Sequence, residues 1–327
     1  MICLGIESTA HTFGCGIADS KGKIYANTKH SYTSEKGGIH PSEAKLHHER
    51  FKDKIVEEAL AAANLKLGDI GLISFSQGPG LPPCLIVGMK KAKELAKKVN
   101  APLVGVNHCI SHLEIGKLLT KAKDPVLLYC SGANTQVIAY EGGKYRIFGE
   151  TLDNGIGNFI DAFARHIGLG FPGGPKIEVL ASKGKNYIEL PYTVKGMDLS
   201  FSGLLTAANK LCKSEKYSLE DICYSLQETA FAMLIEVTER AMAHTNKKEV
   251  LITGGVAANK RFCEMLDTMA TERGAKAYYC PMKFAGDNGT MIAWAGALAF
   301  QKGYKTEIKD SFVKQKFRPD EVEADWV

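Results

Sequence analysis

The sequence predicts a duplicated α/β protein with a cleft between its two halves. Two observations carry this. Short apolar runs alternate with stretches of helical spacing along most of the 327 residues, the pattern of strands and helices packed in layers. The opening "ICLGIESTAHTFGCGIADSKGKIYAN" also recurs in kind from residue 126 as "VLLYCSGANTQVIAYEGGKYRIFGE". Both run apolar strand, small polar turn, strand, Gly-Lys turn, strand. Two copies of one supersecondary unit in a single chain mark an internal repeat.

The elements follow in order. Residues 2–6 ("ICLGI"), "FGCGIAD" and "KIYANTKHS" read as consecutive antiparallel strands joined by tight turns. "SEAKLHHERFKDKIVEEALAAANL" has helical spacing, with Ser42 as N-cap and Glu43 in the first turn. "IGLISFS" is a buried strand, "PPCLIVGMKKAKELAKKVN" a helix that turns basic, and "PLVGV" a strand feeding into "NHCISHLE". After the second hairpin, residues 165–225 are rich in Gly, Pro and Lys and read as an inserted, largely helical subdomain. Two further helices, "SLEDICYSLQETAFAMLIEVTERAMAHT" and "AANKRFCEMLDTMATERG", flank the strand "EVLITGG". The first half is residues 1–125 and the second 126–299, with 300–327 a candidate to return to the first. The charged tail "KDSFVKQKFRPDEVEADWV" has no capping pattern and reads as a flexible end or a cut from a longer chain.

Hydrophobic content of 45% with 24% charged residues excludes an intrinsically disordered chain. A net charge of +5 is compatible with a polyanionic partner without requiring one. The nine cysteines are scattered and contain no C-x-x-C, which suits reduced thiols in a cytoplasmic protein and excludes a disulfide frame. The N-terminus lacks a basic leader region, and the longest apolar run, "IAWAGALAF" at 292–300, is too short to cross a bilayer. A cytoplasmic location and no membrane partner are expected.

His108 and His112 stand four positions apart, one helical turn, so both rings can face one ion. The protease motif H-E-x-x-H needs a Glu directly after the first His. Cys109 occupies that place and cannot act as the base. A pair of helix-surface or core histidines is the other reading, and spacing alone does not choose. Asp287, in a loop before a small-residue helix, is either a helix N-cap or a third ligand for the pair. The small-residue turns in "GIESTAHTFG" and "YCSGANTQ" expose backbone N–H groups that suit phosphate oxygens. "LITGGVAANKRF" and "GFPGGPKIEVLA" let the backbone approach a flat ligand at a helix start, with Glu178 placed to accept from ribose hydroxyls. Lys90, Lys91, Lys93, Lys97 and Lys98 share one helix and are either a solvated face or a contact for the phosphates of a polyanionic partner.

Across the whole chain the segments "LGIESTAHTFG", "QGPGL", "NHCISH", "YCSGANTQ", "GIGNFIDAFAR", "GFPGGP", "FSGL", "ITGGVAAN" and "GDNGTMIA" stand in one order. With them the sequence resembles the universal tRNA threonylcarbamoyladenosine transferases, once called O-sialoglycoprotein endopeptidases. "YCSGANTQ" and "GIGN" are similar to the archaeal and eukaryotic-cytosolic branch. The resemblance implies the duplicated fold of actin, heat-shock ATPases and sugar kinases, two lobes with a nucleotide cleft between them. It implies transfer of a threonylcarbamoyl group from threonylcarbamoyl-AMP to N6 of the adenosine beside the anticodon, with release of AMP. It also implies work within the KEOPS complex beside a small atypical kinase, sometimes fused C-terminally, which would account for the abrupt tail.

By the same resemblance the metal ligands fall on His108, His112, Asp287 and Tyr129, with Fe(2+) favoured over Zn(2+). The contacts to ATP or threonylcarbamoyl-AMP fall on Tyr129, Cys130, Ser131, Gly132, Ala133, Asp161, Gly174, Glu178 and Asn259. His11, in the first phosphate turn, is the suggested proton acceptor. Ala133 stands where the family more often has Gly, so a positive φ there would be strained. Two rivals use the same fold: a metal-containing ATP-binding scaffold without catalytic activity, and a sugar-kinase-like phosphotransferase that would need ATP, magnesium and a sugar. The sugar-kinase reading gives no reason for a His–His–Asp site.

Overall fold

The computed structural model describes residues 1–33 and 38–327. The chain runs β1 (Ile2–Glu7), β2 (Thr12–Asp19), β3 (Ile24–Ser31), α1 (Pro41–Ala63), β4 (Leu72–Gly78), α2 (Pro82–Val99), β5 (Leu103–Asn107) and α3 (His108–Thr120). It continues with β6 (Val126–Cys130), β7 (Thr135–Glu141), β8 (Lys144–Glu150), α4 (Ile156–His166), α5 (Gly174–Ala181), β9 (Val194–Lys195), β10 (Asp198–Leu199), α6 (Ser202–Ser214) and α7 (Leu219–Thr245). The last elements are β11 (Glu249–Thr253), α8 (Lys260–Glu272), β12 (Lys276–Tyr279), α9 (Met282–Ala285) and α10 (Gly289–Gln301).

The duplication is explicit in the sheets. One has the order β3-β2-β1-β4-β5, the other β12-β11-β6-β7-β8. In each, a three-stranded antiparallel meander is extended by two parallel strands. Both outer hairpins carry a register shift, at Ile17/Ala18 and at Val137/Ile138. Strands covered on both faces read as continuous apolar runs, and β4 is buried at every position.

Helices α1 and α2 cover one face of the first sheet through Ile55, Val56, Val87 and Leu95. The stretch from α4 to α8 covers one face of the second sheet. Between the two sheets lie α3 and α10. Helix α3 places Ile115 against the first-sheet side and Cys109, Ile110 and Leu113 against Leu127 and Leu251 of the second. Helix α10 falls in the stretch 126–299 that the sequence assigns to the second half, yet it packs on β1 and β2. The contact is backbone to backbone: a Cβ on Gly5 would lie 2.1 Å from Ala293 N, and one on Gly16 would lie 2.1 Å from Thr290 N. Only glycine permits this approach.

Three more expectations need correction. Ser42 is not the cap of α1: the cap is His40, because Pro41 takes the first helical position, where its missing N–H costs nothing. Residues 165–225 are not a separate subdomain. They contribute Ile177, Leu190, Phe201 and Leu204 to the same core as Val126, Leu128 and Val250. The tail is not loose. Thr306 N–H donates to Leu103 O (2.8 Å), Lys314 N–H to Gln77 O (2.7 Å) and Asn107 Nδ2 to Phe317 O (3.0 Å). It then crosses to the second sheet, where Arg318 meets Glu150 at 3.1 Å and Ala324 is fully buried beside Tyr129 and Leu251.

The glycine contact yields a stability prediction. Gly16→Ala is expected to lower stability by roughly 1–3 kcal/mol through overpacking. Gly203→Ala, on an exposed turn of α6 with open space around it, is expected to be neutral or slightly stabilising. Denaturant midpoints check both, and equal midpoints for the two variants would contradict the packing argument.

Candidate active site

The site begins at the carboxyl ends of strands, where open α/β sheets bind their ligands. At the end of β5, Asn107 caps α3, its side chain accepting from Ile110 N–H at 3.1 Å. His108 is therefore the first residue of the helix and His112 lies one turn on. Asn288, not Asp287, caps α10, accepting from Met291 N–H at 3.0 Å. Its amide also donates to Phe284 O (3.1 Å) and Gly286 O (2.9 Å), fixing the loop and leaving the Asp287 carboxylate free of capping.

That carboxylate reaches both imidazoles: Asp287 Oδ1 is 3.5 Å from His108 Nε2 and 3.4 Å from His112 Nε2. One ligand atom from each of the three lies within 4.8 Å of the others, the one such cluster among the described residues. Tyr129, at the end of β6 and fully buried, brings its hydroxyl to 3.0 Å from His108 Nε2. Behind them stands Glu7, a residue that carried no role at the sequence level. It ends β1 fully buried, accepts from Thr9 N–H (2.6 Å) and lies 3.0 Å from His108 Nδ1. A carboxylate on Nδ1 directs Nε2 toward the cluster.

Electrostatics favour a cation here. Burial alone would depress His108, but the carboxylates of Glu7 and Asp287 outweigh it and push the ring up to about 9. Burial likewise opposes ionisation of Asp287, and the two imidazoles override it, holding the carboxyl well below the usual range. Burial lowers His112 and raises the Tyr129 phenol well above its ordinary value. Two carboxyl groups, those of Glu7 and Asp287, thus converge on the His108 imidazole in a dry setting. Neither ring nitrogen of the buried His112 has a well-formed hydrogen bond, and Asp287 Oδ1 stands 3.4 Å from Nε2. Two imidazoles, a carboxylate and a phenol are a donor set that fits a divalent transition metal.

The cluster opens into a cleft of ≈ 650 Å³ lined by both halves of the duplication. His11, His108, Tyr129, Ser131, Gly132, Ala133, Asp161, Gly174, Glu178, Asn259 and Asp287 all line it. His112 is fully buried behind them. Cys130 does not reach the cleft: strand alternation turns it into the core with Val126 and Leu128. The Ser131–Asn134 turn closes on itself through Ser131 N–H to Asn134 O (2.9 Å) and is tied to α4 by Gly157 N–H to Ser131 O (3.1 Å). Ala133 is not among the non-glycine residues with positive φ, so the expected strain is absent. At Gly254 the requirement for glycine is real, with φ +99 and Cys130 O 2.1 Å from a built Cβ.

Several predicted contacts also hold the wall together. Asp161 accepts from Gly173 N–H at 2.7 Å and anchors the glycine-rich entry to α5. Glu178 accepts from Lys260 N–H at 2.8 Å. Asn259 caps α8, accepting from Phe262 N–H (3.0 Å) and donating to Gln227 Oε1 (2.8 Å). On the opposite wall, Lys29 Nζ donates to Asp287 O at 3.0 Å. The basic run on α2 is only partly a surface. Lys91 is buried and paired with Asp53 (2.6 Å) and Glu94 (2.7 Å), and Lys93 donates to Ser311 O (2.8 Å), leaving Lys90, Lys97 and Lys98 exposed. Among the described residues no helix is long and apolar enough to cross a membrane.

Comparison with known proteins agrees with this architecture. A family described as "TsaD: tRNA N6-adenosine threonylcarbamoyltransferase" matches residues 23–294. A tRNA N6-adenosine threonylcarbamoyltransferase of Thermococcus sibiricus is 58% identical over 326 residues, covering 100% of both chains. A probable bifunctional tRNA threonylcarbamoyladenosine biosynthesis protein of Methanothermobacter thermautotrophicus is 53% identical over 327 residues, and this chain spans 61% of it. Among solved structures, Thermococcus kodakarensis HypF superposes with a TM-score of 0.68 at 16% identity, over 92% of this chain and 48% of that one. Component A of the Acidaminococcus fermentans (R)-2-hydroxyglutaryl-CoA dehydratase gives 0.58 at 15% identity, over 92% and 98%. These two likenesses speak for the fold alone, and the sequence matches speak for more. The chain belongs to the tRNA N6-adenosine threonylcarbamoyltransferase family.

Proposed function

We propose that the chain transfers the threonylcarbamoyl group of threonylcarbamoyl-AMP to N6 of the adenosine adjacent to the tRNA anticodon, within the KEOPS complex. The observation that supports this best is the His108–His112–Asp287 cluster at the floor of a cleft walled by small-residue turns from both halves. The amine nitrogen attacks the acyl carbon, the bond to the phosphate oxygen breaks, AMP departs and N6 loses a proton. His108, His112 and Asp287, with Tyr129, would hold one divalent metal, Fe(2+) in preference to Zn(2+). When bound, it supplies Lewis-acid stabilisation of charge developing on carbonyl or phosphate oxygen.

The protein's own groups do the rest. Glu7 holds His108 in one orientation through Nδ1. The turns at Thr9–Thr12 and Ser131–Asn134 would offer backbone N–H donors to the phosphate. Glu178 and Asn259 face the nucleoside from the second wall. An aromatic amine is a weak nucleophile, so fixing both reactants contributes much of the rate. To His11, which lines the cleft, we assign the proton. The target base lies in a single-stranded loop and can enter without breaking a duplex, and the exposed Lys90, Lys97 and Lys98 offer charge for tRNA phosphate. The greater length of the bifunctional relatives supports action beside a second activity, which we assign to the small atypical kinase of the complex.

Mass spectrometry of nucleosides tests the reaction. Protein with its partner subunits, tRNA and threonylcarbamoyl-AMP is expected to yield threonylcarbamoyladenosine, and His112→Ala is expected to yield none. Elemental analysis should find about one equivalent of iron or zinc, lost in the His108→Ala/His112→Ala protein; a double variant with full metal content would contradict the site. For the nucleotide wall, Glu178→Gln keeps an acceptor for Lys260 N–H but loses the charge-assisted bond to ribose. It is expected to weaken adenylate binding by about 1 kcal/mol in calorimetry, and unchanged affinity would remove Glu178 from the ribose subsite.

A further inference from the structure

The two walls of the cleft differ in chemistry. The second-sheet wall carries the Ser131–Asn134 turn, Glu178 and Asn259, while the first-sheet wall carries the Thr9–Thr12 turn and the end of β3. Among the described residues lining the cleft, Lys29 and Lys316 are the only lysines or arginines. Lys316 lies on the crossing tail. Lys29 is on β3, and its Nζ sits 3.0 Å from Asp287 O and 3.9 Å from where a Cβ on Gly286 would lie. The ammonium therefore stands beside the loop that closes the metal cluster. An ammonium has three donors, and Asp287 O accounts for one.

Next to it are two hydroxyls. Ser31 pairs with Thr12 in register and Lys29 with Gly14, and alternate residues of a strand share a face. Thr12 Oγ1 and Ser31 Oγ lie 3.0 Å apart, and both residues line the cleft. A cation and two hydroxyls on one strand face are a carboxylate-binding set.

We infer that Lys29, with Thr12 and Ser31, forms the subsite for the carboxylate of the donor's amino-acid part. The inference rests on the function proposed above and deepens it. An aminoacyl-type adenylate of that kind carries two anionic groups, phosphate and carboxylate, on opposite sides of the reacting carbonyl. With the nucleotide on the second wall and the carbonyl at the cluster, the carboxylate extends toward the first wall. There the Lys29 ammonium is the cation in reach to pair with it. Lys29 is thereby a specificity residue: it selects donors whose amino part bears a carboxylate.

Calorimetry with two probes tests this: threonylcarbamoyl-AMP, and the same adenylate with the carboxylate replaced by hydrogen. Lys29→Met retains the apolar stem of the side chain. It is expected to lose roughly tenfold in affinity for the first probe, as befits a partly exposed charge pair, and nothing for the second. Lys29→Arg should retain most of the affinity, Ser31→Ala should lose less than Lys29→Met, and metal content should be unchanged in all three. Equal losses for both probes would overturn the inference, because Lys29 would then only support the Asp287 loop; so would no loss for either. A wild-type protein that does not bind threonylcarbamoyl-AMP would overturn the proposed function itself and the subsite with it.

Discussion

The arrangement depends on a backbone contact between a helix and a sheet. Gly5 and Gly16 let α10 lie directly on β1 and β2, closer than any side chain would allow. Helix α10 starts at Gly289, so the depth at which it sits on the sheet sets where Asp287 and Asn288 arrive. Because α3 packs beside α10 between the two sheets, the same contact fixes the distance from Asp287 to His108 and His112. A displacement of one ångström at this interface is comparable to the spread between a good and a poor ligand geometry. Packing in the middle of the molecule and chemistry at its cleft are one problem.

Charge reinforces the constraint. Glu7 comes from β1, His108 and His112 from α3, Tyr129 from β6 and Asp287 from the entry to α10. The residues of both halves therefore meet at one buried point, and without a cation they bring together more negative than positive charge. Removing either carboxyl group alone would leave the buried His108 ring with one polar partner fewer. The tail adds a mechanical tie, bonded to Gln77 and Asn107 on one side and to Glu150 on the other.

Much of this was legible in the sequence because the duplication repeats strand by strand. The two hairpins at Ile2 and Val126 announce themselves by apolar alternation and Gly turns, and both sheets follow. His108 and His112 were legible from their spacing, and Asp287 from the family motif. Glu7 was not, because its role exists only when β1 and α3 become neighbours; a carboxylate at the end of the first apolar strand was the sole signal. Asn288 rather than Asp287 took the cap because its amide also satisfies two loop carbonyls, a choice set by loop geometry. Cys130 and Lys91 faced inward for reasons of strand alternation and a local pair with Asp53, which motif order does not encode. The place of α10 on the first sheet was hidden by chain order, although a helix apolar all round is one covered on several sides.

On the function proposed above, this cleft would hold a metal between residues that both halves of the duplication supply. Anomalous diffraction from crystals of the protein as isolated, recorded at the iron and zinc absorption edges, tests it most directly. The account predicts one strong peak within coordinating distance of His108, His112 and Asp287. A metal-free cluster in active protein, or a peak held by other residues, would contradict it.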